Sequence, residues 1–337
     1  MKSFFDSLSK QAKEVKATII FAEGDEDRTL IAAANLVHEG ICTVKLTAVS
    51  KEAIVATAKR NGLELTGLEV IEPSIETLDK TVVENFINSR VVRGISRQDA
   101  QAMVIDPLMF SALYVKSGYA TGCVMGARAS TPDVLRAAIS GIGVAAGTKL
   151  VSSFFLMVPP PSSHSIIKEP VVYADCGVNP DPKAIGLKDI AVASVASFKS
   201  LFPSRTPKVA FLSFSTKGSS EHKAVDEIVK AVKLTQKHFK NDSSVLIDGE
   251  LQFDAAIIPA IAERKSPNSL IKGDANIFIF PDLNSGNISY KITERLGGFT
   301  AIGPILQGVA KPINDLSRGC KPHDIFYTAV ITILQSR

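Results

Sequence analysis

Apolar and polar positions follow two periods along this chain, one typical of strands and one typical of helices. Short apolar or β-branched runs predict strands at residues 17–21, 42–49, 149–158, 171–174, 208–214, 244–248 and 276–280. Apolar residues at helical spacing predict helices near residues 1–12, 26–39, 187–202 and 221–239. Alternation of this kind predicts βαβ units, parallel sheets and ligand sites at the carboxyl ends of strands.

A Pro/Ser tract at residues 159–163 follows a nearly continuous apolar strand, and such a tract indicates a domain boundary. The fold class we predict is α/β, with two α/β domains that have parallel-type sheets and are separated by a cleft. Residues 1–150 and 300–337 are expected to form a discontinuous first domain. Residues 151–299 are expected to form a second domain inserted into it.

Composition excludes several classes of protein. The 337 residues are 45% hydrophobic and carry a net charge of +4 without a Lys/Arg block, which disfavours nucleic-acid binding but suits anionic ligands. No apolar run approaches the length of a signal or membrane segment, so we expect a soluble, cytoplasmic protein. The four cysteines are far apart, no histidine has a metal partner at useful spacing, and no dinucleotide or P-loop fingerprint is present.

Residues 291–324 are rich in both helix breakers and polar groups, and they end at the start of a predicted helix. Pro322 suits the first turn of that helix, which places Asp324 in the same turn. A carboxylate there can simply complement the helix dipole. The nearby Arg318, in a Gly-bounded loop, supports a second interpretation: a guanidinium binds phosphate or an oxyanion while a carboxylate takes a proton.

Residues 118–147 form a glycine-rich turn that leads into another helix start. Ser130 or Thr131 is expected to cap this helix, and free N–H groups at such an end favour anions, although a cap alone also explains the pattern. The acids of the loop at residues 21–28 are interpreted mainly as helix-start residues, with Glu23 as a candidate for lining a cleft.

Three arginines occur close together in a helical, polar region. Arg90, Arg93 and Arg97 are spaced to share one helix face, which indicates a solvated stripe. Two loops of the second domain, residues 213–220 and 282–287, follow predicted strands. The hydroxyls and glycine of residues 213–220 suit phosphate contacts but also an ordinary turn, whereas the Asn and Asp residues of 282–287 favour a turn.

One family resemblance covers nearly the whole chain. Residues 278–320 read FIFPDLNSGNISYKITERLGGFTAIGPILQGVAKPINDLSRGC and closely resemble the C-terminal signature of phosphate acetyltransferases (phosphotransacetylases). Matching segments occur in the same order: Phe21-Ala-Glu-Gly24 with Asp27-Arg28, Ser130-Thr131 with Arg136, Tyr173-Ala-Asp-Cys-Gly-Val-Asn-Pro180, Ser213-Phe-Ser-Thr216 with Gly218-Ser219, and Asp248-Gly249 with Gln252 and Asp254-Ala-Ala256.

The resemblance implies reversible transfer of an acetyl group between coenzyme A and inorganic phosphate, on a fold similar to isocitrate and isopropylmalate dehydrogenases. Coenzyme A would be a substrate, with no tightly bound cofactor, no metal and no covalent acyl-enzyme. In this interpretation Asp324 takes the thiol proton, Arg318 stabilises the developing oxyanion and Ser317 orients the acyl group. Arg136 and Arg90 hold the phosphoryl end or coenzyme A.

Further substrate-binding residues are carried over from the matching loops. They are Ser130, Thr131, Ser215, Thr216, Asn284 and Ser285. The family also implies a homodimer.

The chain departs from the family pattern at four positions in one segment. We expect Asp at Thr121, Ser at Met125, and a Val-His pair at Arg128-Ala129. Fine substrate contacts therefore differ from the family's. Three alternatives stay open: a phosphate acyltransferase for propionyl or butyryl groups, a non-catalytic CoA-sensing module, and a decarboxylating dehydrogenase, for which we find no acidic metal cluster or nicotinamide site.

Overall fold

The computed structural model describes residues 2–161 and 165–337. Ser162 and Ser163 of the predicted boundary tract lie outside the described residues. By its contacts the chain divides into two compact units. We call residues 2–146 with 309–337 the terminal unit, and residues 147–308 the middle unit.

The terminal unit contains eight α-helices and five strands among its described residues. The helices are α1 (Lys2–Val15), α2 (Asp27–His38), α3 (Lys51–Arg60), α4 (Lys80–Val91), α5 (Arg97–Val104), α6 (Pro107–Lys116), α7 (Thr131–Ala137) and α13 (Pro322–Leu334). The strands are β1 (Thr18–Phe21), β2 (Thr43–Leu46), β3 (Leu68–Val70), β4 (Gly122–Met125) and β11 (Ile313–Asp315). A 3-10 turn covers Ile75–Thr77, and a π-helical segment, Ala138–Ile142, continues α7.

The five strands form one parallel sheet in the order β11-β4-β1-β2-β3. β4 is completely buried, as expected of a central strand in a parallel sheet. α13 packs on β4, and its residues Ile325, Ala329, Val330 and Ile333 are buried as its apolar spacing predicts. The C-terminal helix therefore covers the centre of the sheet.

The middle unit has its own helices and sheet. The helices are α8 (Ala184–Leu201), α9 (Lys223–His238), α10 (Phe253–Ile257), α11 (Pro259–Lys265) and α12 (Leu283–Arg295). The strands are β5 (Ser152–Val158), β6 (Val171–Ala174), β7 (Lys208–Leu212), β8 (Leu246–Leu251), β9 (Ile277–Ile279) and β10 (Thr300–Gln307). They form a mixed sheet in the order β10-β5-β6-β9-β7-β8.

β5 runs antiparallel to both of its neighbours, β10 and β6, whereas β6, β9, β7 and β8 are parallel. β10 therefore belongs to the sheet of the middle unit, although the sequence analysis placed residues 300–307 in the first domain. The α/β fold class with parallel-containing sheets is confirmed. Aromatic residues, including Tyr173, Phe278 and Phe280, fill the core on one face of this sheet.

Three local predictions were wrong. Arg90, Arg93 and Arg97 do not share a helix face, because α4 ends at Val91 and Arg97 begins α5. The glycine-rich segment 118–130 contains the central strand β4, which its small residues concealed. Residues 283–287 are the first turn of α12 and not a free turn, since Asp282 and Ser285 form a reciprocal capping box.

Candidate active site

Three loops of the terminal unit lie at the same edge of its sheet. β1, β4 and β11 are adjacent and parallel, so their carboxyl ends point the same way. Residues 22–26, 126–130 and 316–321 follow these three strands directly. This edge is where an open parallel sheet usually binds its ligand.

Glu23 holds the loop at residues 126–130 through hydrogen bonds to its backbone. Its side chain is 4% exposed, and its two oxygens accept hydrogen bonds from four successive backbone N–H groups, those of Gly126, Ala127, Arg128 and Ala129, at 2.7–3.0 Å. A carboxylate in this position satisfies every donor of the turn. Glu23 is therefore a buried residue that fixes the conformation of this loop, and it is not a helix-start residue.

Arg28, in the first turn of α2, connects the other loops to this one. Its Nη1 donates to the carbonyl oxygens of Arg318 at 2.7 Å and Cys320 at 2.9 Å, and its Nη2 donates to that of Ala127 at 2.9 Å. Its Nε pairs with Glu26 at 2.7 Å, and this hydrogen bond raises the pKa of the guanidinium. The loops after β4 and β11 are thus fixed to the same side chain.

Ser130 is the N-cap of α7. Its hydroxyl donates to Asp133 Oδ2 at 2.6 Å and accepts the Asp133 N–H at 3.4 Å. Thr131 has a different partner, because its hydroxyl donates to Asp315 Oδ2 at 2.7 Å. The predicted cap is Ser130, and Thr131 links α7 to β11.

Arg136 lies on the exposed side of α7 and lines a surface pocket of about 340 Å³. Its side chain is 60% exposed and its Nη1 is 2.7 Å from Asp133 Oδ1. Hydrogen bonds from Ser130 and then from Arg136 hold the pKa of Asp133 below its usual value. The remaining lining residues are Met103, Asp106, Leu108, Met109, Ala129 and Ala137. The lining combines apolar side chains with one cation, Arg136, and two carboxylates, Asp106 and Asp133.

Arg90 is buried near the end of α4, with 8% of its surface exposed. It donates to the hydroxyls of Ser89 and Ser140 at 3.2 and 3.3 Å, and it stacks over Phe86 at 5.0 Å. Within the described part of the chain no carboxylate pairs with it, and burial followed by the charge of Arg93 lowers its pKa. Ser140 is four residues beyond Arg136 on the same continuous helical segment, so Arg90 packs against the segment that carries Arg136.

Ser317 and Arg318 form an exposed tip in the loop after β11. The Ser317 hydroxyl accepts the Gly319 N–H at 3.3 Å, and the Ser317 carbonyl accepts the Cys320 N–H at 2.8 Å. No described residue accepts a hydrogen bond from the Arg318 guanidinium. The backbone of Arg318 is fixed by Arg28 while its cationic group stays available.

Asp324 lies in the first turn of α13, as predicted. Its Oδ2 accepts the Lys321 N–H at 2.8 Å, its Oδ1 is 3.0 Å from His323 Nε2, and its side chain is 35% exposed. No ion pair joins it to Arg318 among the described residues. The carboxylate is positioned by the backbone and keeps free acceptor capacity toward solvent.

Cys320 lies between these groups, and its thiol is a poor nucleophile. It is 7% exposed, and burial raises its pKa to about 11; Arg28 opposes this shift, whereas Asp324 and Glu26 add to it. The thiolate, which is the reactive form, is therefore scarce at neutral pH. Its environment suits a packed side chain.

Asp315 is a buried residue to which the sequence analysis assigned no role. It is 1% exposed, and burial raises its pKa to about 7; Thr131 and the Leu316 N–H oppose this shift as hydrogen-bond donors, the Glu23 charge adds to it and the Arg318 charge opposes it. The only sequence signal was an acid at the end of a short apolar strand. Its burial depends on how β11, β4 and α7 pack, which no local pattern reports.

In the middle unit, Ser215 and Thr216 are buried and satisfied internally. Ser215 donates to Glu250 Oε1 at 2.9 Å, and Thr216 Oγ1 donates to Gln252 Oε1 at 3.3 Å and accepts the Gln252 N–H at 2.9 Å. Ser285 belongs to the capping box of α12, and Asn284 is exposed. Of these four predicted binding residues, only Asn284 has its side chain mainly in solvent.

The four departures from the family pattern occupy different environments. Thr121 Oγ1 accepts the Thr18 N–H at 3.0 Å, and Met125 is buried in β4. Arg128 forms a two-armed pair with Asp25, with N···O distances of 2.9 and 2.5 Å, and Ala129 lines the Arg136 pocket. Arg128 and Ala129 are therefore the two that alter the surface of the candidate site.

The described residues contain no cluster of three or more His, Cys, Asp or Glu side chains placed to hold a metal ion. No helix among them is both long and apolar enough to cross a membrane.

Residues 3–333 match the family model described as "Phosphate acetyl/butaryl transferase". The chain belongs to the phosphate acetyl/butaryl transferase family. A phosphate acetyltransferase of Clostridium acetobutylicum is 41% identical over 332 residues, which cover 98% of each chain. This confirms the family resemblance.

Solved structures agree with this family membership. A phosphotransacetylase from Staphylococcus aureus superimposes with a TM-score of 0.90 at 36% identity, covering 100% of this chain and 99% of that chain. A 4-hydroxythreonine-4-phosphate dehydrogenase from Klebsiella pneumoniae gives a TM-score of 0.56 at 9% identity, covering 96% of this chain and 100% of that one. The second likeness concerns the fold alone and agrees with the predicted dehydrogenase-like architecture.

Proposed function

We propose that the protein is a phosphate acetyltransferase, which transfers an acetyl group reversibly between acetyl-CoA and inorganic phosphate to give acetyl phosphate and CoA. The observation that carries this proposal is the loop after β11. It presents an unpaired, exposed Arg318 guanidinium beside Ser317 and shortly before Asp324, while Arg28 holds its backbone. Family membership and the names of the relatives give the reaction class.

In the direction of acetyl-CoA synthesis, the CoA sulfur attacks the carbonyl carbon of acetyl phosphate. A C–S bond forms, the C–O bond to phosphate breaks, and orthophosphate leaves. Asp324 accepts the thiol proton, which then returns to phosphate or solvent. Because an aspartate carboxylate is a weaker base than a thiolate, this transfer is concerted with attack.

Arg318 stabilises the negative charge that gathers on the carbonyl oxygen. A preorganised cation is most effective when it has no competing partner, and Arg318 has none among the described side chains. Ser317, whose hydroxyl keeps its own proton to donate, orients the acyl group.

Arg136 and Arg90 provide anion binding for the phosphoryl group or for CoA. Of the two arginines, Arg90 is the better supported anion-binding residue. Its guanidinium is buried and its described hydrogen-bond partners are only hydroxyls, so an anionic ligand would stabilise it most. Arg136 is solvent-exposed and already shares one carboxylate with Ser130. We propose that Arg136 binds the phosphate groups of CoA at the surface pocket that it lines.

The remaining predicted contacts divide by unit. In the terminal unit we propose that Ser130 and Thr131 bind substrate, since both are half-buried at the start of α7 beside the Arg136 pocket. In the middle unit we propose that Asn284 contacts substrate directly. Ser215, Thr216 and Ser285 would contribute through the backbone groups of the loops that their hydroxyls hold.

We propose direct transfer in a ternary complex, because holding both reactants together supplies the proximity that lowers the barrier. The rival mechanism uses Cys320 as an acyl acceptor. The raised pKa of its thiol argues against it, and no histidine among the described residues hydrogen-bonds to the thiol. Steady-state kinetics with both substrates varied should give intersecting lines, and Cys320→Ala should retain turnover within about threefold. Parallel lines with acyl-enzyme accumulation would contradict direct transfer.

The first experiment is a thiol-disappearance assay with acetyl phosphate and CoA. Acetyl phosphate should be consumed in step with CoA, and propionyl and butyryl phosphate more slowly, because relatives at about 40% identity are named phosphate acetyltransferases while the family name includes both activities. A preference for butyryl phosphate would show that the protein is a phosphate acyltransferase for a longer acyl chain. Tight CoA binding without turnover would indicate a sensing module instead.

We further propose that the enzyme is a cytoplasmic homodimer, as the family resemblance implies. Size-exclusion chromatography with light scattering should give twice the chain mass of 36.0 kDa. A single-chain mass over the working concentration range would exclude the dimer.

A further inference from the structure

Two buried carboxyl groups lie on either side of the loop that leads into α7, and they have different partners. Glu23 is surrounded by four backbone N–H donors. Among the described residues, Asp315 has only two donors, the Leu316 N–H at 2.9 Å and the Thr131 hydroxyl at 2.7 Å. A carboxylate with few donors and no solvent is unstable relative to its neutral acid.

The enclosure of Asp315 is tight. Gly126 has a φ of +98°, and a Cβ atom at this position would lie 2.1 Å from Asp315 Oδ1. A side chain at residue 126 is therefore excluded by close contact as well as by backbone conformation. Asp315 Oδ1 occupies the space that a side chain at residue 126 would need.

The charged groups around Asp315 do not neutralise it. Glu23, on the loop after β1, disfavours the ionised form, and Arg318, on the loop after β11, favours it without forming a hydrogen bond. The packed neighbours α7, α13 and β4 carry these further ionisable groups: Asp133 and Arg136, His323, Asp324 and Tyr327, and Cys123. Asp133 and Arg136 pair with each other, so no described cation is committed to Asp315.

The protonation state of Asp315 decides what the Thr131 hydroxyl can do. An ionised carboxylate only accepts, so Thr131 must donate its single proton to Asp315. A neutral Asp315 can donate its own proton to Thr131 Oγ1, and the Thr131 proton is then free for another acceptor. The same change removes a negative charge from beside the site of an anionic substrate.

We propose that Asp315 is a positioning residue that sets the direction of the Thr131 hydroxyl, and that its neutral form frees this hydroxyl to donate to the phosphoryl group of the substrate. This rests on the proposed function. Binding the phosphoryl group then takes up one proton from solvent, and release of the group returns it. Asp315 itself touches no reacting atom.

The kinetic test uses acetyl phosphate at saturating CoA between pH 6 and pH 8.5. In the wild type, KM for acetyl phosphate should rise on the order of tenfold as Asp315 loses its proton. In Asp315→Asn the amide donates to Thr131 at every pH, so KM should vary less than about twofold while the pH profile of kcat keeps its shape. Asp99→Asn, an exposed helix-start acid, is the control and should keep the wild-type slope.

Thr131→Val keeps Asp315 but removes the hydroxyl. Its KM should already be high at pH 6 and should stay flat, so this variant tests the proposal if Asp315→Asn does not fold. A flat wild-type KM, or a wild-type slope retained in Asp315→Asn or Thr131→Val, would overturn the proposal.

A stability measurement separates this proposal from the proposed function. The folded pKa of about 7 lies above the unfolded value of 3.8, so ionisation of Asp315 destabilises the folded state as pH rises from about 4 to about 7. Asp315→Asn should therefore raise Tm relative to wild type more at pH 8 than at pH 5.5. An equal difference in Tm at the two pH values would show that Asp315 does not titrate between them and would overturn the proposal. An absence of any acetyl phosphate turnover would instead refute only the proposed function.

Discussion

The loops at the carboxyl edge of the terminal sheet and the loop at residues 213–220 of the middle unit share two features, since each follows a strand and contains one glycine among polar residues. Their side chains behave differently in the structure. Arg136 and Arg318 of the terminal unit extend into solvent, whereas Ser215 and Thr216 of the middle unit are buried and bonded to Glu250 and Gln252.

The contrast follows from the different reach of short and long polar side chains. A hydroxyl reaches only its own loop and the next chain segment, so it is readily used to satisfy buried groups. A guanidinium can reach past the loop that carries it. In this protein the exposed Arg318 has no described hydrogen-bond acceptor, whereas the hydroxyls of Ser215 and Thr216 are committed to Glu250 and Gln252.

The largest effect should come from Asp324. In Asp324→Asn the amide oxygen can still accept the Lys321 N–H, so the fold should persist, but the proton acceptor is lost. We expect kcat to fall on the order of 10²–10⁴-fold with KM for CoA changed only slightly. Asp226→Asn, an exposed first-turn acid of α9, is the matched control in steady-state assays. Unchanged turnover in Asp324→Asn would remove its assigned role.

Arg318→Gln should have the next largest effect. Because the guanidinium is the electrostatic stabiliser of the transition state, its loss should reduce kcat on the order of 10²–10³-fold. Its backbone contact with Arg28 is independent of the side chain, so Tm should stay within a few degrees. The exposed Arg60→Gln is the comparison. If only KM changed, Arg318 would be a ground-state binding residue.

Arg136→Gln should weaken substrate binding more than turnover. Loss of one charge-assisted contact costs about 1.5–3 kcal/mol, which corresponds to roughly 10–100-fold in kcat/KM for CoA. Arg97→Gln is closely matched, because Arg97 is similarly exposed and also pairs with a carboxylate, Glu84, at 2.7 Å. Equal effects of the two substitutions would show that the Arg136 pocket does not bind CoA.

Ser215→Ala should affect stability more than activity. It removes the hydroxyl that donates to Glu250, so the free energy of unfolding should fall by about 1–3 kcal/mol, measured by urea denaturation. KM and kcat of the folded enzyme should change less than about threefold, and the exposed Ser204→Ala should change neither. A raised KM at unchanged stability would show that the Ser215 hydroxyl contacts the substrate. The contrast between the two regions would then not hold.

Much of the fold and part of the site could be predicted from local patterns. Periodicity identified seven of the eleven described strands and five of the thirteen described α-helices, including the buried face of α13, because an apolar stripe must be covered whatever its partner. The position of Asp324 in the first turn of α13 followed from Pro322, whose ring suits that turn and no later one. The same reasoning did not predict β4, because the glycine and cysteine at its start give no strand signal.

By itself the sequence determined the α/β class, the family, and which residues carry charge near the end of the chain, because each of these depends on short-range spacing or on matching motifs. Only the tertiary structure decided that Arg90 is buried apart from Arg97, that Ser215 is committed to Glu250, and that Asp315 is enclosed beside Thr131. Burial and protonation depend on residues far apart in the chain that packing brings together, here residues 131 and 315, and no local pattern records that distance.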